Sequence, residues 1–285
     1  MQPDKVVPVD FSIITPSFRS AKWLKLCINS IADQNVALEH IVQDSCSEDG
    51  TRELLGGDPR VKAFIEKDTG MYDAVNRGLR RSTGPLLAYL NCDEQYLPGA
   101  LERVKRAFEA RPDLDILFGD VIVVNGDGGF NCFRKVQIPL KYHTWVSNNL
   151  ATFTAATFFR RRILNRDDMY FDSRFRDLAD VDWMMRALAK GFKMGLLHEY
   201  TSVFTETGAN MNLGANALRE KAEFRASAPK WARRAEPVFI AHHRLRRLLQ
   251  RAYSQKPFRY SIYTRDSPNV RTAFDVERPI SRWKR

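Results

Sequence analysis

Acidic and polar side chains follow four predicted strands, at the point where each strand ends. They are Thr15, Pro16 and Ser17 after the first strand, Asp44 after the second, Asp68 after the third, and Asp93 and Glu94 after the fourth. A lone aspartate at a strand end is usually only a cap for the next helix. Ligands of an open parallel sheet bind outside the carboxyl ends of its strands, so four such loops together predict a binding site.

The ligand at this edge must suit several carboxylates. Neither a GxGxxG nor a GxxxxGK[ST] motif is present, and TPSFRS after the first strand contains no glycine. Carboxylates alone would repel a phosphate, whereas Mg²⁺ or Mn²⁺ held by Asp93, with Glu94 as a second ligand, can bridge a diphosphate. The remaining acids can accept hydrogen bonds from a base N–H or from ribose. The pattern therefore predicts a nucleotide diphosphate bound through a divalent metal.

Alternating strand and helix signals place these acids on one sheet. Short apolar runs predict strands at FSIITP, EHIVQD, VKAFIE and LLAYL. Apolar residues at helical spacing, with cap and proline start signals, predict helices at 21–34, 47–55, 71–81 and 98–110. This alternation is typical of βαβ units, and hence of an α/β protein with a mostly parallel sheet and right-handed crossovers.

The pattern changes after about residue 115. Strand-like runs flank the turn sequence NGDGG, which predicts a hairpin. A helix is expected at 181–190, ending at Gly191, followed by a strand at KMGLLHEYTSVF. From about Gly214 the chain is basic and mainly helical, with an irregular tail from Thr264. We therefore divide it into residues 1–115, 116–213 and 214–285, and call the last of these the C-terminal extension.

The overall composition is that of a soluble globular protein. Of the 285 residues, 44% are hydrophobic and 28% are charged. Neither a transmembrane run nor the apolar segment of a signal peptide is found, so a cytoplasmic location is expected. The scattered cysteines lack a CxxC pair and are expected to be reduced, partly buried thiols. They are Cys27, Cys46, Cys92 and Cys132.

The formal net charge of +11 is unevenly distributed, and residues 242–259 contain no acid. This bias indicates a membrane surface, a nucleic acid or a phosphorylated substrate as partner, or else a solvated basic helix without one. The basic segment has few aromatic residues and no nucleic-acid motif, so nucleic-acid binding is disfavoured. We expect peripheral attachment to the anionic inner face of a membrane, near a lipid-linked or membrane-proximal acceptor.

Several segments resemble glycosyltransferase family 2, the inverting enzymes of the GT-A fold. The segments are SIITPSFRSAKWLKLCINSIADQ, DSCSEDGT, EKDTGMYDAVNRGL, LNCDE, ATFFRRRIL and FDSRFRDLADVDWMMRALAKGF, and they cover residues 10–200. The resemblance implies a Rossmann-like nucleotide-binding sheet (1–115) merged with an acceptor-binding half (116–213). It also implies a hexosyltransferase that moves one sugar from a UDP-linked donor to a glycan or lipid-linked acceptor, in cell-surface polysaccharide or glycolipid synthesis.

The resemblance assigns donor-binding roles residue by residue. Asp44 matches the acid that contacts the base, usually uracil, and DTGMYDAVNRG resembles the segment lining the nucleotide pocket. NCDE corresponds to the DxD motif with Asn91 in place of the first acid, which puts Asp93 at the metal-binding position beside Glu94. The implied donor-binding residues are Thr15, Pro16, Ser17, Asp44, Asp68, Tyr72, Asp73, Asn76, Asn91 and Cys92. For Tyr72, Asp73 and Asn76 an ordinary helix N-terminus is the alternative interpretation.

LADVDW resembles the family's base motif at the start of a helix. Inversion by a single displacement needs a general base, and Asp180 matches it, with Ala179 in place of a preceding acid. Asp182 is the rival base or an acceptor contact. Residues two apart on a helix do not share a face, so at most one should point into the cleft. A helix cap is the alternative role for Asp180.

Three aromatic or imidazole side chains remain open to two interpretations. Trp183 and Trp145 are candidates for stacking on a sugar ring, with an ordinary core or surface position as the alternative. His198 is expected to be a buried structural residue rather than a contact to the diphosphate or metal.

Two departures from the family's patterns bear on catalysis. The tail segment PISRW has Pro279 where the processive synthases carry the glutamine of QxxRW, which indicates a non-processive enzyme. Asn91 and Ala179, each in place of an acid, leave a second interpretation open. That interpretation is a nucleotide-sugar-binding module that has lost catalysis.

Overall fold

Four parallel strands form the first part of the central sheet. The computed structural model describes residues 8–147, 150–208 and 214–283. The strands are β1 (Phe11–Ser17), β2 (Leu38–Asp44), β3 (Val61–Ile65) and β4 (Leu86–Tyr89). β1 lies between β2 and β4, and β3 pairs with β2, all in parallel register. All seven residues of β1 are buried, as in a sheet covered on both faces. The predicted parallel sheet is confirmed.

Helices cover both faces of this sheet. They are α1 (Ala21–Ala32), α2 (Thr51–Gly56), α3 (Met71–Arg81) and α4 (Ala100–Ala110). Alternate residues of β4 enter two different hydrophobic clusters: Leu87 and Tyr89 pack with α3, and Leu86 and Ala88 pack with α1 and α4. Gly78 allows α3 to lie directly on β1, because a Cβ there would collide with Ile14.

Two helix starts differ from the prediction. The second helix begins at Thr51 rather than Ser47, because Asp49 accepts hydrogen bonds from the Thr51 amide and hydroxyl while Ser47 is bonded back to Asp44. The fourth begins at Ala100 rather than Pro98. The intervening Gly99 has a left-handed backbone, with φ of 67°, which excludes it from a right-handed helix.

The second part of the sheet is mixed. It contains β5 (Gln95–Tyr96), β6 (Ile116–Asn125), β7 (Phe130–Arg134), β8 (Thr157–Arg160) and β9 (Met194–Glu206). The sheet order is β3-β2-β1-β4-β8-β6-β9-β5, with β7 also paired to β6. β6 and β7 form the predicted hairpin, and β6 runs parallel to β9. The helices of this part are α5 (Lys141–Ser147), α6 (Arg162–Asp167) and α7 (Ala179–Ala189).

The C-terminal extension packs onto the rest of the molecule. Its elements are α8 (Ala215–Ala226), α9 (Lys230–Arg234), α10 (Glu236–Leu249), β10 (Phe258–Ile262) and β11 (Thr272–Val276). Two predictions are wrong here: β10 lies in the part expected to be helical and β11 in the tail expected to be irregular. The two strands form an antiparallel hairpin that packs against β6 and β9. Ala228 and Ala232 pack on Val146 of α5. Within the described residues, no helix has both the length and the hydrophobicity required for a transmembrane span.

Candidate active site

The turn after β4, Asn91–Glu94, is called the metal turn here, and it is tightly closed. The Asn91 amide donates to Glu94 Oε2 at 2.9 Å, and the Glu94 amide donates to the Asn91 carbonyl at 3.1 Å. Burial and the neighbouring Asp93 raise the pKa of Glu94 to about 8, and burial also raises the pKa of Asp93. No lysine or arginine of the described residues offsets either charge. The two carboxylates therefore lack a protein counter-ion.

The two carboxylates of the metal turn point in different directions. Glu94 is 1% exposed and lies close enough to Cys27 and Tyr96 to raise the pKa of both. Its Oε2 is bonded back to the Asn91 amide within the turn, which does not favour the predicted role as a second metal ligand. Asp93 is only partly buried and remains at the sheet edge.

The residues at this edge fit a metal that is shared with a ligand. Within the described part of the chain, no three His, Cys, Asp or Glu side chains converge on a metal site. Mg²⁺ is commonly held by one or two carboxylates together with substrate phosphates rather than by a protein cage. Asn91 Oδ1 is buried without a hydrogen-bond partner among the described residues, an arrangement that costs about 1–3 kcal/mol. The edge is therefore suited to a polar ligand.

Asp44 and Asp68 lie on the same edge. Asp44 is fully buried, and its two oxygens accept hydrogen bonds from the Ser47 amide at 2.8 Å and the Ser47 hydroxyl at 2.7 Å. Asp68 accepts a hydrogen bond from the Gly70 amide at 3.0 Å, and burial raises its pKa. Burial raises the pKa of the Cys92 thiol to about 12, and both Asp93 and Asp44 add to this effect. The structure thus brings the predicted acids after β2 and β4 together around Cys92.

Sequence reasoning stopped at Ser17 and missed the next two residues. Phe18 is 52% exposed at the end of β1, with the Arg19 guanidinium 5.1 Å and the Lys67 ammonium 5.6 Å from its ring centroid. Arg19 has a φ of 50°, a strained value for a residue with a side chain, and its amide donates to Ser47 Oγ at 2.8 Å. An exposed aromatic ring with two cations nearby offers a stacking surface beside the acids. The FR pair after TPS was the available signal.

Two predicted donor-binding side chains serve the fold instead. Thr15 is fully buried, and its hydroxyl lies 2.9 Å from His40 Nε2. Asn76 donates to the Phe171 carbonyl at 2.7 Å and accepts from the Phe171 amide at 2.9 Å, so its amide group is occupied on both sides. These two predictions are corrected, because neither side chain reaches the sheet edge.

Three further predicted donor-binding residues have structural partners. The Cys92 thiol donates to the Pro16 carbonyl at 3.3 Å, which ties β1 to the metal turn. Asp73 accepts from the Thr69 amide at 3.1 Å and pairs with Arg77 at 2.9 Å, the contacts of a helix start. For Asp73 the structure favours the helix-terminus interpretation.

Asp180 lies in the first turn of α7, surrounded by two tyrosines. Its Oδ1 accepts a hydrogen bond from the Val181 amide at 2.8 Å. The Tyr72 hydroxyl lies beside the carboxylate and the amide of Asp180 and acts to lower the pKa of that carboxylate, and Tyr89 lies beside Tyr72. Burial raises the pKa of Asp180 to about 6, against the lowering effect of these donors and of Lys221. A carboxylate with this pKa is suited to general-base catalysis near neutral pH.

Tyr89 links Asp180 to the metal turn. The charges of both Asp180 and Glu94 raise the pKa of Tyr89, so both carboxylates lie in the neighbourhood of this tyrosine. Tyr89 ends β4, and the metal turn starts two residues later at Asn91. Tyr72, predicted as a nucleotide contact, is thus placed at the proposed base.

The other two candidates on α7, Asp182 and Trp183, are bound to structural partners. Asp182 accepts from Arg186 Nε at 2.7 Å, one turn further along the helix, so only Asp180 of the pair is free of an ion pair with its own helix. Trp183 is 2% exposed, stacks on Phe171, and donates from Nε1 to the Met169 carbonyl at 2.8 Å. It is a core residue, so of the two interpretations left open for Trp183 the structure favours the core position over sugar stacking.

Trp145 and His198 lie away from the acids. Trp145 Nε1 donates to Ser227 Oγ at 3.0 Å, so the ring packs against the C-terminal extension. His198 is exposed, and the prediction of a buried structural histidine is wrong. It lines a cavity of about 1010 Å³ between β9 and the C-terminal hairpin that contains none of the predicted catalytic, donor-binding or metal residues. A cavity of about 20 Å³, room for one water molecule, lies beside Asp180 and Tyr89.

Comparison with known proteins identifies the family. Residues 12–194 match the model of glycosyl transferase family 2. A PGL/p-HBAD biosynthesis glycosyltransferase of Mycobacterium bovis (strain BCG / Pasteur 1173P2) is 28% identical over 214 residues, which cover 71% of this chain and 79% of that protein. The succinoglycan biosynthesis protein ExoO of Rhizobium meliloti is 28% identical over 202 residues, or 66% of this chain and 58% of ExoO.

Solved structures share the fold. TarS 1-349 of S. aureus, in complex with UDP-GlcNAc, superposes with a TM-score of 0.60 at 18% identity, covering 84% of this chain and 73% of that one. The mannosyltransferase PcManGT from Pyrobaculum calidifontis, in complex with GDP-Man and Mn²⁺, gives 0.53 at 17% identity, covering 85% and 77%. The family model spans more than half of the chain. The chain therefore belongs to glycosyl transferase family 2, and it is a glycosyltransferase with the GT-A fold.

Proposed function

We propose that this enzyme transfers one sugar from a nucleotide-diphosphate sugar to an acceptor hydroxyl with inversion, using a divalent metal at Asp93. The observation that carries the proposal is the placement of two different carboxylates around Tyr89. One is Glu94 of the metal turn, whose charge is offset by no lysine or arginine of the described residues. The other is Asp180, whose pKa is raised by burial to about 6.

The donor end of the site is assigned to the loops after β1, β2 and β3. Asp44 uses two of its lone pairs for Ser47, and a carboxylate has about four acceptor positions, so it can still accept from a base N–H. Phe18 offers a face for base stacking, and Arg19 and Lys67 beside it suit a diphosphate. A UDP-linked donor is favoured because the fold is shared with TarS, whose structure holds UDP-GlcNAc.

Asp93, together with the amide oxygen of Asn91, is proposed to hold Mn²⁺ or Mg²⁺. When bound, such an ion neutralises charge on the diphosphate leaving group. The unpaired Asn91 Oδ1 and the uncompensated charge of Asp93 support this assignment. A cation there would also relieve the repulsion between Asp93 and Glu94.

Asp180 is proposed to act as general base. Its carboxylate takes the proton of the acceptor hydroxyl while the acceptor oxygen bonds to the anomeric carbon. The bond from that carbon to the diphosphate oxygen breaks, and its electron pair leaves with the nucleoside diphosphate. Attack opposite the leaving group inverts the configuration. Tyr72 holds the Asp180 carboxylate in place during this step.

A thermal-shift screen of UDP- and GDP-sugars, each with and without Mn²⁺, tests the donor and metal assignments. A ligand at about 100 times its Kd stabilises the fold by about 2.7 kcal/mol. We expect stabilisation by one nucleotide sugar only with metal, and release of nucleoside diphosphate when an acceptor is added. Metal-dependent binding without hydrolysis or transfer would instead support a module that has lost catalysis.

The C-terminal extension is proposed to bind an anionic membrane surface. Val238, Leu245, Leu248 and Leu249 are exposed on one side of α10, Leu249 at 74%, and Arg244 and Arg251 beside them are also exposed. Leucines flanked by arginines suit the headgroup region of a bilayer. The names of the relatives place them in glycolipid and polysaccharide synthesis, which supports a glycan or lipid-linked acceptor and a location on the cytoplasmic face of a membrane.

Co-sedimentation with vesicles tests this surface. We expect binding to phosphatidylglycerol vesicles, little binding to phosphatidylcholine vesicles, and loss of binding in Leu245→Glu/Leu249→Glu. Leu218→Glu, which changes an exposed leucine of α8, is the matched control. No binding of the wild type to anionic vesicles would refute the proposal. Self-association abolished by the same double substitution would indicate a second copy as the partner.

A further inference from the structure

The start of α7, the helix that carries Asp180, is capped by a residue of the C-terminal extension. Leu178 precedes the helix and has an apolar side chain that cannot cap it. Glu220 of α8 instead binds the backbone amides of the three residues that lead into the helix, a contact called the cap here. Its Oε1 accepts from the Arg176 amide at 2.9 Å, and its Oε2 accepts from the Asp177 and Leu178 amides at 3.0 Å each. Three consecutive backbone N–H groups thus converge on one carboxylate.

Asn216, one turn earlier on α8, completes this contact. Its Nδ2 donates to Glu220 Oε1 at 2.9 Å and to Asp177 Oδ2 at 2.6 Å. Glu220 is 5% exposed, and although burial acts to raise its pKa, the N–H donors lower it overall. Glu220 is therefore ionised at neutral pH, as a carboxylate at a helix N-terminus should be.

The cap lies next to the contacts that orient Asp180. The Tyr72 hydroxyl lies beside the Asp180 amide, and the Val181 amide donates to Asp180 Oδ1. The amides of Arg176 to Leu178 and of Val181 are therefore bonded by Glu220 and by Asp180 itself. The charged and titratable groups that face Asp180 are Tyr72 from α3, Tyr89 from β4 and Lys221 from α8. Lys221 directly follows Glu220. α8 therefore supplies both the carboxylate that binds the backbone amides before α7 and a positive charge near Asp180.

We infer that Glu220 is a positioning residue for the general base, and that α8 of the C-terminal extension completes the catalytic site. The inference relies on the proposed function only for the role of Asp180. The capping geometry itself stands on hydrogen bonds between α8 and residues 176–178. The extension is thus part of the catalytic unit in addition to any membrane contact.

Glu220→Gln in the full chain tests the inference. The amide would place an NH₂ group or leave a single oxygen where three N–H donors converge, so the cap is lost with little change in shape. We expect amide hydrogen exchange in residues 176–180 to rise about tenfold or more, since the amides lose their acceptor. Turnover should fall about 10- to 100-fold from misplacement of the base. The Kd for UDP with Mn²⁺, measured by calorimetry, should change less than about twofold, because the loops after β1 to β4 are untouched.

The pH profile separates positioning from general destabilisation. A loosened α7 start lets water reach Asp180, and because burial is what raises its pKa, the acid limb of the rate profile should move to lower pH. Glu223→Gln on the same helix is the matched control, since Glu223 pairs with Arg219 at 3.9 Å on α8. Asn216→Ala keeps Glu220 and should give an intermediate effect, which covers the case in which Glu220→Gln does not fold.

Two outcomes would overturn the inference. The first is unchanged exchange at 176–180 in Glu220→Gln. The second is faster exchange with turnover and pH profile equal to those of the wild type. A wild type that binds UDP but transfers no sugar, with faster exchange in the variant, would refute the role of Asp180 and leave the cap itself supported.

Discussion

The metal turn and the start of α7 place carboxylates at the ends of regular elements, yet they differ in how well those groups are satisfied. At the metal turn Asn91 Oδ1 has no partner among the described residues, and Asp93 and Glu94 lack a counter-ion. At the start of α7 the amides are capped by Glu220 and Asp180 is held by Tyr72. The first region is incomplete without a ligand, whereas the second is already organised.

This difference assigns separate tasks to the two regions. Unpaired buried polar atoms and repelling carboxylates cost stability, which a bound cation and diphosphate would restore. A general base gains instead from a fixed position before the substrate arrives. Metal and donor should therefore change the first region strongly and the second little, and substitutions in the two regions should affect different observables.

Asp93→Ala should have the largest effect, because it removes the proposed metal ligand. A metal ion contributes several kcal/mol of transition-state stabilisation, so transfer should fall about 10⁴-fold or more. The circular dichroism spectrum should be unchanged, since the Asp93 side chain bonds to no other residue in the described part of the chain. Asp266→Ala, at an exposed aspartate, is the control for loss of a carboxylate. Metal-dependent transfer near the wild-type rate would remove the distinction between the two regions.

Asp180→Asn should reduce turnover by about 10³-fold, the range of general-base catalysis, while the Kd for UDP with Mn²⁺ stays the same. In the wild type, the rate should fall about tenfold per unit below pH 6, because the pKa of Asp180 is raised to about 6 and only the ionised form accepts a proton. Steady-state rates between pH 4.5 and 8 measure this limb. A large loss of UDP affinity in Asp180→Asn would assign Asp180 to the donor site instead.

Tyr72→Phe should act in the opposite direction from Glu220→Gln on the pH profile. The Tyr72 hydroxyl stabilises the ionised Asp180, so its removal should raise the pKa of Asp180 and move the acid limb of the rate profile to higher pH. We expect only a small loss of turnover at pH 7 and a larger one below pH 6, where less of Asp180 is ionised. Tyr142→Phe, in the aromatic cluster of α5, is the control. An unchanged limb would show that Tyr72 does not contact the base.

Trp183→Phe should have the smallest effect on catalysis and a visible effect on stability. The Met169 carbonyl loses its donor, which should lower the free energy of unfolding by about 1–3 kcal/mol in urea denaturation. The KM for acceptor should stay constant. A higher acceptor KM at unchanged stability would restore the sugar-stacking interpretation and add Trp183 to the ligand-binding residues of α7.

The positions of the acids were predictable because they depend on local sequence. β1 to β4 are short apolar runs, buried in a two-sided sheet, and the carboxyl end of each strand must meet the same edge. Asp44, Asp68 and Asp93 follow directly from this. The direction of Thr15 was predictable in principle, since it alternates with Ile14 and shares a sheet face with Phe11 and Ile13, but the strand-end argument treated the whole loop as exposed.

The roles of Asn76, Trp183 and Glu220 were not predictable in the same way. Asn76 bonds Phe171, which is 95 residues away, and Glu220 caps amides up to 44 residues away. The hairpin of β10 and β11 forms against β6 and β9, and the period-two pattern of Phe258, Tyr260 and Ile262 is too short to be decisive alone.

The sequence by itself determined the fold class, the family and the edge at which the acids gather, because apolar periodicity and strand polarity are local properties. Only the tertiary structure decided which of those side chains remain available to a ligand. Hydrogen bonds such as those of Asn76 and Glu220 form between groups distant in sequence and depend on how the helices pack on the sheet. For the same reason only the tertiary structure brought the C-terminal extension to the proposed base.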